Sequence, residues 1–273
     1  MILILNINKR TLFGDLKQFS PLLLNLAVKD FKIKYRRSVL GVLWSILNPL
    51  FTMLVLTTVF SAILKVRVEN FATYYIVGFS IWSFFSEATS LAMTSILTAA
   101  PLIKKVYLPK YIFPLEKCIF SLINFGFSLI AVLIVMLLQG VYPTFFVFSA
   151  LLPIFYCFIF SCGISLILSA ITVYFRDIAH LYGVLLTVWM YLTPIIYPIS
   201  LISNHKLLLF IIKFNPMVYY VELMRYAFMN TPLDLFGFNY LQINIIGFLF
   251  AVCFLAIGIF VFKKCQRNFI LRI

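Results

Sequence analysis

Apolar residues along this chain gather into runs of twenty or more positions, broken by short stretches where basic residues, prolines and turn formers collect. The runs fall at about 39–64, 74–97, 118–138, 145–175, 181–202 and 241–262. Each is at least as long as the ~20 residues a helix needs to cross the hydrocarbon of a bilayer. The pattern predicts an all-α integral membrane protein with six transmembrane helices, preceded by amphipathic interface helices over 1–38 and followed by a tail over 263–273. The sharpest boundary lies at the first run. Residues 29–37 hold Lys29, Lys32, Lys34, Arg36 and Arg37 against Asp30 alone, and from Val39 no charge appears until Lys65. A charge at a helix centre costs ~2.5–3.5 kcal/mol on insertion scales, whereas Lys and Arg beside the inner leaflet are favoured. The basic end therefore stays on the cytoplasmic side.

Before the first span, Leu12, Leu16 and Phe19 share one helical face and predict a short interfacial helix. A second helix is expected to begin with Ser20 as N-cap and Pro21 at its first position. It places Asn25, Lys29, Lys32 and Arg36 on one stripe and lets Asp30 pair with Lys34 four residues on. That stripe suits either lipid headgroups or a cytoplasmic partner. In span 1, Trp44 serves as an interface anchor and Pro49 predicts a kink. Span 2 carries Ser80, Ser83, Glu87, Ser90 and Thr94 on a single face, a seam on which helices can approach closely. Glu87 stands out there, because an ionisable group inside a span faces the bundle interior or water and is a functional candidate.

Between spans 2 and 3, residues 101–117 are too interrupted to cross and too apolar for a free linker. A short helix at the membrane surface that grips a partner satisfies both conditions; an ordinary basic loop is the alternative. Span 3 has a second polar seam in Ser121, Asn124 and Ser128, and Gln139 to Pro143 form a tight outer turn. Span 4 is ~46 Å long if fully helical, so it kinks at Pro153, tilts or projects. Ser161, Ser165, Ser169 and Thr172 stripe its lower half, and Arg176 and Asp177 mark its exit. Span 5 meets Pro194 and Pro198, whose missing donors are tolerated at membrane depth only where the freed groups find protein or water. Residues 192–228 read as broken, partly re-entrant helices at the outer mouth, the last opening with Asn215 as cap and Pro216 as first residue and carrying Glu222 and Arg225.

Composition agrees with a bilayer protein: 64% of the 273 residues are hydrophobic and 11% charged, against roughly 25% charged in soluble domains. No small-residue cleavage site follows the first run, so a secretory signal is not expected. The net charge of +14 is divided among apolar spans and forms no basic, aromatic-laced face, so nucleic acid is not an expected partner. Under the six-span scheme 17 of the 22 Lys and Arg lie inside, which sets both termini in the cytoplasm. The five cysteines show no metal-ligand or CxxC spacing and read as small hydrophobes.

Chemistry-bearing constellations are missing. There is no GxxxxGK[ST], so ATP hydrolysis by that route is excluded; His180 and His205 are isolated, and no paired carboxylates accompany Glu87. No cofactor is expected on this chain. The aromatics are numerous, 31 Phe, 15 Tyr and 3 Trp. Trp82, Phe84, Phe85, Trp189, Tyr191 and Tyr197 lie in spans 2 and 5 beside the seam and the broken outer end. Such faces suit sugar CH groups or a lipid tail, and a conduit for a long amphipathic polymer fits them.

At DFKIKYRRSVLGVLWSILNPL (30–50), YYIVGFSIWSFF (74–85), PLIKKVYLPKYIFPLEK (101–117), YFRDI (174–178), TPIIYPIS (193–200) and NPMVYYVELMR (215–225) the chain resembles the permease subunits of type-2 ATP-binding-cassette exporters of bacterial polysaccharides such as O-antigen, capsule or teichoic acid. The resemblance implies a homodimer in the inner membrane, docked to separate ATPase subunits that bind ATP and magnesium, and a lipid-linked polysaccharide as substrate. It further implies a coupling segment at Leu102, Ile103, Lys104, Lys105, Val106, Tyr107 and Leu108, joined by Arg176 and Asp177. An interface helix bearing Lys29, Asp30, Lys32, Arg36 and Arg37 follows from it too, as does a channel and outer gate near Trp82, Phe85, Glu87, Trp189, Tyr191, Pro194, Tyr197 and Pro198. Two other readings fit less well: a type-2 permease for a drug or small lipid, and a membrane glycan transferase using Glu87 as base.

Overall fold

In the computed structural model, residues 12–36, 38–62, 70–106, 108–202, 205–231, 233 and 235–272 are described. Ten α-helices occur among them: α1 Leu12–Tyr35, α2 Trp44–Ala62, α3 Phe71–Thr98, α4 Ala100–Ile103, α5 Ile112–Leu138, α6 Leu151–Tyr174, α7 Ile178–Leu192, α8 Lys206–Lys213, α9 Pro216–Met229 and α10 Tyr240–Cys265. The only sheet-like pairing among the described residues is one bridge between Leu235 and Phe238. Five helical segments are long and apolar enough to cross a membrane; α8 and α9, bent by 83° to each other, would make a sixth only if taken as one broken span, and α7, at 15 residues, is shorter. The protein is an all-α integral membrane protein.

The centre of the bundle is α3, which packs on α2, α5, α6, α7 and α9. Its first half, from Phe71 through Phe85, is buried almost throughout, with Tyr75, Ile76, Val77, Ile81 and Phe85 at or near zero exposure. The serine stripe of α6 packs closely, whereas the seam read on span 2 does so only in part, with Ser80 buried and Ser83 exposed. Ser161, Ser165 and Ser169 of α6 are fully buried, and Cys118 Sγ of α5 sits 3.2 Å from Ser165 Oγ. Where α6 crosses α10, Gly163 and Gly258 let the backbones touch: a Cβ on Gly163 would lie 2.5 Å from the Phe254 carbonyl oxygen. Lipid offers apolar side chains as good a surroundings as another helix does, so close approach of small residues selects the contacts. By contrast α2 and α7 turn most of their large side chains outward, including Phe51, Leu54 and Val55 on α2 and Leu181, Val184 and Val188 on α7.

Several expectations change. The first helix is continuous from Leu12 to Tyr35, so Ser20 is not an N-cap and Pro21 lies inside it. One missing N–H costs a single turn bond, which the apolar face of α1 on α5 offsets. Lys29, Lys32 and Arg36 share the exposed face as read, but Asp30 does not pair with Lys34. Packing on α5 presents Asp30 to Lys117 and Lys34 to Glu87 instead. Pro153 sits in the first turn of α6, which is entered through a 3-10 segment, Phe145–Ala150, so it produces no mid-span kink. Span 5 is shorter than 181–202: α7 ends at Leu192, because Thr193 turns extended ahead of Pro194. Arg37, Leu64, Lys65, Arg67 and Tyr107, on which further readings fall, lie outside the described residues.

Candidate functional site

Three places gather the polar and motif residues of the chain. The first is a cavity of about 230 Å3 bounded by α1, the start of α2, α3 and α5. Lys34 Nζ reaches Glu87 Oε1 at 2.9 Å, and both oxygens of Glu87 accept from Asn124 Nδ2, at 3.0 and 2.9 Å. The Asn124 carbonyl oxygen in turn receives Tyr35 Oη at 2.8 Å and Ser45 Oγ at 3.0 Å, and those two hydroxyls touch each other. Four helices thus meet in one network. Glu87 is not an isolated acid: Lys34 of α1, off the Lys29–Lys32–Arg36 stripe, supplies its countercharge, and span 3's seam supplies its amide. Ser80, Ser83 and Ser128 complete the wall from the two seams, while Trp44 and Phe84 supply aromatic edges. The ion pair stays partly open, with side-chain exposures of 39% for Lys34 and 26% for Glu87. Glu87 stands about eleven residues, ~16 Å of helix rise, from the Thr98 end of α3.

The second place is the basic side of the bundle. α4 is one turn long, and exposed Leu102 with Lys104, Lys105 and Val106 just after the helix form a small apolar and cationic projection. Ile103 and Leu108 are half-buried, and Ile103 packs with Ile96, Leu166, Val173 and Phe269. The segment is held from behind by the chain's tail: Lys110 Nζ donates to the Gln266 carbonyl at 2.8 Å and lies 5.5 Å from the ring of buried Phe269. Partial burial lowers the pKa of Lys110. Arg176 and Asp177 are exposed between α6 and α7. The tail's part in this surface was missed in the sequence, where Phe269 in a basic stretch gives no periodic signal.

The third place is the broken helical region around 193–198 and α9. Asn215 caps α9 by accepting from Met217 N at 3.1 Å, as its position before Pro216 predicts, and also receives Trp189 Nε1 at 2.8 Å. Arg225, read from sequence as an outer charge, is 1% exposed. Its guanidinium donates to the carbonyls of Pro194 and Ile195 at 2.8 and 2.9 Å and to Glu222 Oε1 at 2.7 Å, and it stacks 3.4 Å from the centroid of Tyr74. The carbonyls that the proline turn withdraws from helical bonding are met here by protein. Gly78 makes room: a Cβ there would come within 3.0 Å of Arg225 Nη2.

The aromatic candidates divide. Trp82 and Phe85 are buried in a cluster with Phe160 and Trp189, with Phe85–Trp189 centroids 5.1 Å apart, so within one subunit they are core and line no opening. Tyr191 is exposed, and Tyr197 donates to its carbonyl at 2.7 Å. Pro194 is buried beneath Arg225, and Pro198 is half-buried.

This bundle of apolar helices with the bent pair α8–α9 is the membrane part of a transporter: residues 21–229 match the family described as ABC-2 type transporter, and the chain belongs to it. Among individual proteins it is similar to the O-antigen export system permease protein RfbA of Myxococcus xanthus, 33% identical over 207 residues that cover 76% of this chain and 80% of the relative. It is also similar to two proteins of that name from Klebsiella pneumoniae. These are 27% and 28% identical over 249 and 253 residues, in each case 91% of this chain and 93% of the relative.

Proposed function

We propose that this chain is the permease subunit of an ATP-driven exporter that carries lipid-linked polysaccharide, of the O-antigen kind, outward across the bacterial inner membrane. The observation that carries the reading is the near end-to-end similarity to O-antigen export permeases. Two copies form the path in this reading, and each docks a separate ATPase subunit that binds ATP and magnesium. The excess of Lys and Arg at the chain's start, at 104–117 and in the tail supports N-in, C-in orientation. The ATPase meets the projection of Leu102, Lys104, Lys105 and Val106, a greasy knob ringed by cations on a turn braced from behind.

A deletion strain complemented with the wild-type gene tests the function: surface polysaccharide returns with the chain and stays absent without it. Normal surface polysaccharide in the deletion strain would overturn the reading. Leu102→Asp and Val106→Asp, at exposed positions, are expected to leave the protein folded while ATP turnover no longer drives export. Labelling of Lys104 and Lys105 from outside intact cells would reverse the orientation.

A further inference from the structure

The cavity between α1, α2, α3 and α5 has bonding capacity its own walls do not use. Of the three donors on Lys34 Nζ one is committed to Glu87, and Glu87 takes three of the four hydrogen bonds its oxygens can accept. Asn48 and Ser83 border the same space, and among the described residues neither side chain has a hydrogen-bond partner. Donors and acceptors therefore converge from three helices on a small volume edged by the indole of Trp44, which is 40% exposed. At about 230 Å3 the space falls below the ~300–1,000 Å3 of drug-sized pockets, so it holds a single ring or headgroup and no polymer or acyl chain.

Charge narrows the ligand. The lining carries one ammonium and one carboxylate 2.9 Å apart, so the cavity is electrically neutral. A phosphate on the free donors of Lys34 would bring a second anion to the one ammonium that already balances Glu87, a like-charge contact with that carboxylate. A ring of vicinal hydroxyls has no such conflict. Each hydroxyl both donates and accepts, so neighbouring hydroxyls can bridge Glu87 and Lys34 while their partners meet Asn48 and Ser83 and a CH face lies against Trp44. We infer that this cavity is a binding site for one neutral sugar ring, presented from the membrane half where α1 packs, and that it contacts a sugar of the exported glycolipid. The choice of source rests on the export reading; the site itself rests on the cavity.

The test uses the full-length chain in lipid nanodiscs and a panel of free neutral monosaccharides, comprising hexoses, deoxyhexoses and N-acetylhexosamines. Inorganic phosphate and phosphoethanolamine serve as competitors. Saturation-transfer NMR reads ring contact, and tryptophan emission reads Trp44, since Trp82 and Trp189 are buried or half-buried in the core cluster. The expected result is saturable binding of at least one sugar, loss of the emission change in Trp44→Phe, and affinity at least about fivefold weaker in Ser83→Val, ~1 kcal/mol by the usual conversion. Ser83 is exposed, so that variant keeps the fold. The inference is overturned if no sugar of the panel binds, if Ser83→Val binds as the wild type does, or if phosphate or phosphoethanolamine occupies the cavity instead. Sugar binding by a chain whose deletion leaves surface polysaccharide intact would keep the site and remove the export reading. Restored export without any sugar binding would do the reverse.

Discussion

Replacing Arg225 with methionine keeps most of the side chain's packing volume and removes the guanidinium. Three short hydrogen bonds disappear, to the carbonyls of Pro194 and Ile195 and to Glu222, together with the stack on Tyr74. Hydrogen bonds to a charged group are each worth ~1.5–3 kcal/mol net, and a desolvated cation over an aromatic face ~2. The contributions do not add, because they share one side chain, and Glu222, 20% exposed, regains water when its partner goes. Removal of one member of a buried ion pair costs ~3–5 kcal/mol, and we expect that range. At ~2–4 °C per kcal/mol for a chain of this size, the melting temperature followed by detergent size-exclusion should fall by on the order of 10 °C. Proteolysis should move to 193–202, where two carbonyls lose their donors. Arg225→Lys keeps the charge but has no fork to span two successive carbonyls, so it should fall between the two. If Arg225→Met melted within about 3 °C of wild type, or the lysine variant matched wild type, the guanidinium would not be what holds the proline turn against α3.

The remaining predictions follow from other contacts. Gly163→Ala should destabilise the α6–α10 crossing by ~1–3 kcal/mol, since its Cβ meets backbone at 2.5 Å, whereas Gly126→Ala, with nothing within 4 Å, should leave the melt unchanged. Lys34→Glu and Glu87→Lys should each weaken the fold, and the double swap should recover part of the loss. A coupling energy of ~1 kcal/mol or less is expected for a pair this open, measured by a double-mutant cycle of melts. Phe269→Ala should free the tail, because Phe269 is buried against Phe262 and Tyr174, with centroids 5.5 and 6.2 Å away. Faster hydrogen exchange over 266–271 checks it, and unchanged exchange would remove the tail from the bracing of 101–110.

The apolar runs, the short basic turn at α4, the cap at Asn215 and the broken helices around α8 and α9 were all legible in the sequence. Each is set by a local rule: what a bilayer excludes, where a proline can stand, which side chain can accept from a helix's first N–H groups. The seams of Ser80 with Ser83 and of Asn124 with Ser128 were visible too, as faces. What the sequence could not supply was the partner of each face. Lys34 is 53 residues from Glu87 and Arg225 is 31 from Pro194, and hydropathy has no term for which charges meet across such separations. The span scheme counted Arg225 as an outer cation, and packing made it a buried tie, because a charge enters the interior only where other helices bring the groups that satisfy it.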